Sequence, residues 1–135
     1  MITKDWSQAV DATHELFKAS SDIVDESGNV LVTAYPIKRP DGSWSVMLVN
    51  RDQDHEHAVK LKFADAEAGR DGYLSGQVDQ VVFGESQYQW HPGGSMGHTD
   101  PDGPPLRSTL NGSTDTLYRL PKASLTILRG NIRVK

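Results

Sequence analysis

The sequence predicts an all-β fold, an antiparallel β-sandwich of about eight strands. Three observations carry that expectation. Apolar and polar residues alternate in short runs such as Val59-Lys60-Leu61-Lys62-Phe63, the period of a half-buried strand. Turn residues punctuate those runs, most clearly in Pro40-Asp41-Gly42-Ser43, where Pro pre-sets φ and Gly accepts a positive one. After residue 20, no stretch requires a helix of about ten residues or more.

Taken in order, residues 5 to 18 admit two readings. Trp6, Val10, Thr13, Leu16 and Phe17 would share one side of a short helix. His14, Leu16 and Lys18 would instead alternate along a strand. The first twenty residues are therefore a linker or an edge strand of a single domain, 1–135. Asp25-Glu26-Ser27-Gly28-Asn29 is a chain reversal. Val30 to Ile37 and Trp44 to Asn50 flank the Pro40 turn and make a hairpin. Pro36 cannot donate to a ladder, so the first strand lies at an edge or ends there. The second strand carries Trp44, Val46 and Leu48 on one face and Met47 and Val49 on the other. Apolar on both faces, it belongs in the centre of a sheet.

Val59 to Phe63 reads as one half-exposed strand, and Ala64 to Gly69 as a loop or a single helical turn. Gly72 to Phe83 holds two strand pieces, with Gly76 a bulge or bend. Tyr88-Gln89-Trp90 is short and β-prone. A long loop, His91 to Pro105, follows without structure of its own. Thr116–Leu120 and Ser124–Leu128 then form a closing pair through Pro121-Lys122.

A chain of 135 residues with 36% hydrophobic content is one domain able to hold its own core. There is no cysteine, so neither a disulfide nor a thiolate metal site contributes. The net charge is −4 with no Lys/Arg run, which argues against a nucleic-acid partner. No apolar run reaches the ~18 residues of a membrane helix. The N-terminus lacks the basic and apolar regions of a signal peptide. The reading preferred is a piece of a longer, exported chain.

The segment from Leu31 to Tyr35, continuing through Lys38-Arg39-Pro40-Asp41-Gly42-Ser43-Trp44 to Asp52, resembles the C-terminal β-sandwich module of bacterial glycoside hydrolases. The nearest type is the β-xylosidase-like enzymes of glycoside hydrolase family 39. Phe83-Gly84, Gln87-Tyr88-Gln89-Trp90, Asp100-Pro101-Asp102-Gly103-Pro104-Pro105 and the ending Leu120-Pro121-Lys122-Ala123-Ser124-Leu125-Thr126-Ile127-Leu128-Arg129-Gly130 fit the same likeness. The resemblance implies a parent enzyme whose barrel supplies two catalytic carboxylates. Such a barrel needs roughly 200 residues or more, so it lies outside this chain. The chain alone is then a non-catalytic accessory domain, with a glycosidase catalytic domain as its partner.

The residues themselves offer few alternatives. Asp22, Asp25, Asp41, Asp52, Asp54, Asp71 and Asp102 sit in turns, where an Asp ordinarily caps its own backbone. His55-Glu56-His57 would place two imidazoles on one strand face and could bind zinc or copper with a third ligand; a solvated loop is the preferred reading. His91, His98, Asp100 and Asp102 share a Gly-rich loop. Its oxygens could hold a structural calcium, although the spacing matches no EF-hand; no other cofactor is expected.

Sugar binding is the sharper alternative, with plant cell-wall polysaccharide such as xylan as ligand. Aromatic faces stack on pyranose rings while neighbouring polar groups bond the hydroxyls. Tyr88 and Trp90 are the best stacking pair, with His91, Asp100 and Asp102 beside them; core packing beneath the loop competes with this. Exposed coplanar aromatics would favour sugar binding, and an exposed apolar patch a domain interface. A cleft of convergent carboxylates would favour an enzyme.

Overall fold

The structure is a computed structural model, and it describes residues 3–8, 11–65, 69–99 and 103–135. A four-residue helix, α1 (Thr3–Trp6), opens the chain. The strands follow as β1 (Glu15–Leu16), β2 (Val32–Lys38), β3 (Trp44–Asn50), β4 (His57–Val59), β5 (Phe63–Asp65), β6 (Arg70–Phe83), β7 (Trp90–His91), β8 (His98–Thr99), β9 (Leu106–Gly112), β10 (Tyr118–Leu120) and β11 (Ser124–Val134). Seven of them form one antiparallel sheet in the order β1-β2-β3-β11-β6-β5, with β9 running along the remainder of β6. β4 and β10 make a two-stranded second layer, and β7 and β8 a separate small hairpin. The fold is all-β, antiparallel and sandwich-like, as expected.

Local chemistry sets the main sheet. β2 and β3 are joined by a turn in which Gly42 holds φ +84 and its N–H donates to Arg39 O at 2.9 Å. The Asp41 carboxylate accepts the Ser43 N–H at 2.9 Å. β3, apolar on both faces, lies between β2 and β11 at the centre of the sheet. Pro36 is tolerated because β1 pairs only with Ile37 and Lys38 of β2, and Phe17 uses the Pro36 carbonyl, not the missing N–H.

The core lies between the main sheet and the second layer. Val46 and Leu48 of β3, Leu74 and Val78 of β6, and Leu128 of β11 meet Val59 of β4 and Tyr118 and Leu120 of β10. β6 reaches both parts of this core by bending. Gly76 adopts φ +71, and the register against β11 jumps from Arg129–Asp79 to Asn131–Ser75. Gly76, Gln77 and Val78 thus oppose the single residue Gly130, a bulge that sharpens local twist.

Several expectations differ from the structure, among them Ala64 to Gly69, whose first two residues belong to β5, and Gly72 to Phe83, which lies in one continuous strand, β6. Val59 to Phe63 is not one strand: Val59 ends β4 in the second layer and Phe63 starts β5 in the main sheet. Both side chains still reach the same core, which is why the period-2 pattern ran across the break. β10 and β11 do not pair; β10 pairs with β4, while β11 continues to Val134 between β3 and β6. β9 had no counterpart in the reading, because it is an edge strand whose residues 106–109 are all exposed. Finally, residues 91–99 have structure of their own: β7, a 3-10 turn at Gly94–Met96, and β8.

Gly112 fixes β9 in place by close approach. A Cβ there would lie 2.3 Å from the Leu74 carbonyl oxygen and 2.8 Å from Val78 Cγ2. Its φ is not left-handed, so a Gly→Ala change would otherwise stabilise slightly through the unfolded chain. Here the carbonyl belongs to the middle of β6 and cannot move aside. Gly112→Ala is expected to destabilise by about 2–3 kcal/mol, read as a lower urea midpoint at unchanged m-value. A midpoint equal to wild type would show that β9 does not lie in this register.

Candidate functional site

The predicted site residues fall on the segment between β6 and β9. Gly84 begins a single helical turn, with Tyr88 N–H bonded to Gly84 O at 3.0 Å. Tyr88 is therefore not on a strand with Trp90. Its ring packs, tilted, on Phe83 at 6.5 Å and is 46% exposed. Trp90 begins β7 and is 55% exposed. One edge of its ring lies against Gly97, where a Cβ would come within 2.7 Å of Cζ2. His91 pairs with His98 across the hairpin, their rings stacked at 5.3 Å. Tyr88 and Trp90 are thus both exposed but are not a ring pair. Asp100 and Asp102 lie outside the described residues, as does any calcium site built on them.

His55-Glu56-His57 is organised by Asp52. One Asp52 oxygen accepts the N–H groups of Asp54 and His55 at 2.9 and 3.1 Å. The other lies 2.8 Å from His57 Nε2. Among the described residues no group of three or more His, Cys, Asp or Glu is placed to hold a metal ion. Asp25 and Asp41 cap their own turns in the same manner. The Asp54 N–H, and after it His57, lowers the Asp52 carboxyl to about 2. A carboxyl depressed on folding contributes stability that is fully present above its unfolded value, about 3.9. That contribution disappears as pH falls through 2. Urea midpoints measured downward from pH 5 should therefore drop between about pH 4 and 2, and Asp52→Asn should flatten that limb. Identical profiles for the two proteins would show that Asp52 is not the group responsible.

The face of the main sheet turned away from the second layer carries the larger feature. Register places Thr33, Val49, Leu125 and Phe83 in one cross-strand row, and Tyr35, Met47, Ile127 and Val81 in the next. Ile127 and Val81 are buried, Tyr35 is 43% exposed, and the other five are half-buried. A third row, Ile37, Ser45, Arg129 and Asp79, runs beside α1. Ser45 Oγ donates to the Asp5 carbonyl at 3.3 Å. Trp6 Nε1 donates to Tyr35 O at 2.9 Å. Arg107 of β9 grips the Asp5 carboxylate at 2.7 and 3.0 Å.

At the end of this third row lies a polar groove of about 440 Å³, lined by Arg39, Asp41, Gln77, Asp79, Arg129 and Asn131 among others. Sequence reasoning did not assemble it, because its members lie as far apart as Arg39 and Asn131. Only the bulge at Gly76 hinted at an opening there. Asp79 is bonded by Arg129 at 2.8 Å and Gln77 at 3.2 Å. Asp41 is bonded by Ser43 and by Gln8 at 3.0 Å. The Arg129 hydrogen bond lowers the Asp79 carboxyl, and the Ser43 bond lowers that of Asp41.

No described protein family matches this chain, and no curated protein does. Among solved structures, the chain is similar to the thermostable GH51 α-L-arabinofuranosidase from Thermotoga petrophila RKU-1, with 11% identity and a TM-score of 0.43. That match covers 76% of this chain and 19% of the arabinofuranosidase. The chain therefore spans about a fifth of the length of the enzyme it matches.

Proposed function

We propose that this chain is a non-catalytic accessory domain of a carbohydrate-active enzyme, docked through the outer face of its main sheet against a glycosidase barrel. The observation that supports this reading is the pair of apolar rows on that face. A sheet face bearing Tyr35, Met47, Val49, Leu125 and Phe83 only half covered has the character of a contact surface. Tyr88, packed on Phe83, extends it. The resemblance read in the sequence to C-terminal sandwiches of glycoside hydrolases is the reason for proposing a glycosidase barrel as the partner. Fold likeness by itself would not suffice.

The test is made in the intact parent glycosidase. Met47→Glu and Leu125→Glu each put a charge on the proposed interface at a half-buried position. Calorimetry is expected to split one unfolding transition into two, with this domain's own transition moved by only a few degrees. A single, unmoved transition in both variants would overturn the docking surface.

One observation favours a second reading, that of a carbohydrate-binding module. Trp90 is backed by Gly97 in a small hairpin and keeps more than half its surface open, a platform on which a pyranose could stack. In gels containing xylan, arabinoxylan, β-glucan or cellulose, this reading expects retardation that Trp90→Ala abolishes and Tyr88→Ala weakens. Equal mobility with and without every glycan would remove it.

A further inference from the structure

The groove at the β2–β3 turn holds a buried cation that, among the described residues, is ion-paired with no carboxylate. Arg39 is only 7% exposed. Its Nη1 donates to the Asp5 carbonyl at 3.3 Å, and its buried Nε has no hydrogen-bond partner among the described residues. The nearby carboxylates are engaged elsewhere. Asp5 faces Arg107, Asp79 faces Arg129 and Gln77, and Asp41 faces Ser43 and Gln8. A guanidinium carries five donors, and leaving one unmet in a buried place is unfavourable. Burial, followed by the charge of Arg129, lowers the Arg39 pKa, although Asp41 and Asp5 act against this.

Arg39 thus brings an unmet donor to the groove. The Asn131 amide is exposed at the rim and makes no side-chain hydrogen bond to a described residue, so it offers both donors and an acceptor there. Two carboxylates remain on the rim with unused lone pairs, able to accept from hydroxyls. The volume, about 440 Å³, lies within the range of small-molecule sites. We infer that the groove binds a small hydroxylated carboxylate, its carboxylate on Arg39 and its hydroxyls between Asp79 and Asn131. The same chemistry is carried by a free hydroxy acid and by a uronic acid residue of a glycan. The inference does not depend on docking of the outer face, which uses other side chains.

The experiment is a titration of the ¹⁵N-labelled chain, followed by NMR at the Arg39 Nε–H and at the Gly130 and Asn131 amides. D-glucuronate, lactate, acetate and D-glucose are the probes. Glucuronate or lactate is expected to shift these signals saturably with a millimolar Kd. Acetate and glucose should bind at least tenfold more weakly, since each offers half the chemistry. Binding by glucuronate alone assigns a glycan uronic acid, and equal binding by lactate assigns a free hydroxy acid. Arg39→Gln should abolish the shifts. Because that residue is buried, Asn131→Leu at the exposed rim serves as a second variant and should weaken binding severalfold without changing the fold. Acetate as strong as the hydroxy acids would mean an unspecific anion contact and overturn the inference. So would shifts from glucose equal to those from glucuronate, tighter binding of a tri-glutamate peptide, or no shifts at all.

Discussion

Asn50, 2% exposed at the end of β3, donates from one amide nitrogen to the carbonyls of His55, Leu120 and Pro121, at 3.2, 3.3 and 2.8 Å. Its carbonyl oxygen accepts the Asp52 N–H at 3.1 Å. Two amide hydrogens serve three acceptors, so one hydrogen is shared. These contacts join the central strand of the main sheet to both strands of the second layer, at the turn before β4 and the link after β10. A two-stranded ribbon is marginal by itself. Here its three-residue strands persist because Val59, Tyr118 and Leu120 cap the core and Asn50 holds the end where β4 starts and β10 stops. The link after β10 is strained to match. Ala123 takes φ +45, its N–H meets Asp52 O at 2.7 Å, and Ser124 Oγ returns to Pro121 O at 2.6 Å.

With the second layer pinned to one side, the two faces of the main sheet become unequal. One face is closed by β4 and β10. Among the described residues, the other is covered at one margin by α1, anchored through Asp5, and at Phe83 by Tyr88. The apolar rows beyond that margin are therefore left half open. β3 must serve both faces at once, which explains its two-sided apolar pattern and its place at the centre of the sheet.

How much of this could be read in the residues follows from burial. The β2–β3 hairpin, the centrality of β3 and the bulge at Gly76 were legible, because turn chemistry and two-sided hydrophobicity are local signals. β9 was not, since an exposed edge strand anchored by Leu110 and Gly112 has no amphipathic pattern to show. The pairing of β10 with β4 was hidden for another reason. It depends on Asn50, and an Asn before a polar turn looks like any other loop residue. Tyr88 and Trp90 were singled out as aromatics near a loop. Their separation onto a helical turn and a hairpin depends on the Gly84 carbonyl and on Gly97, whose roles are set by contacts remote from any motif.

The polar groove is a consequence of how α1 is held. Asp5 could have neutralised Arg39 directly, since its carbonyl already meets that guanidinium. Its carboxylate is instead gripped at both oxygens by Arg107, a planar fork that a single contact to Arg39 would not match. Securing α1 to β9 in this way leaves Arg39 charged, covered and short of an anion. The bulge of β6 at Gly76, opposite Gly130 of β11, then opens the sheet beside it. Filling that opening with apolar side chains would deepen the desolvation of Arg39 without satisfying it. The opening stays polar because only oxygen-bearing groups, from side chains, solvent or a ligand, can meet a buried guanidinium there.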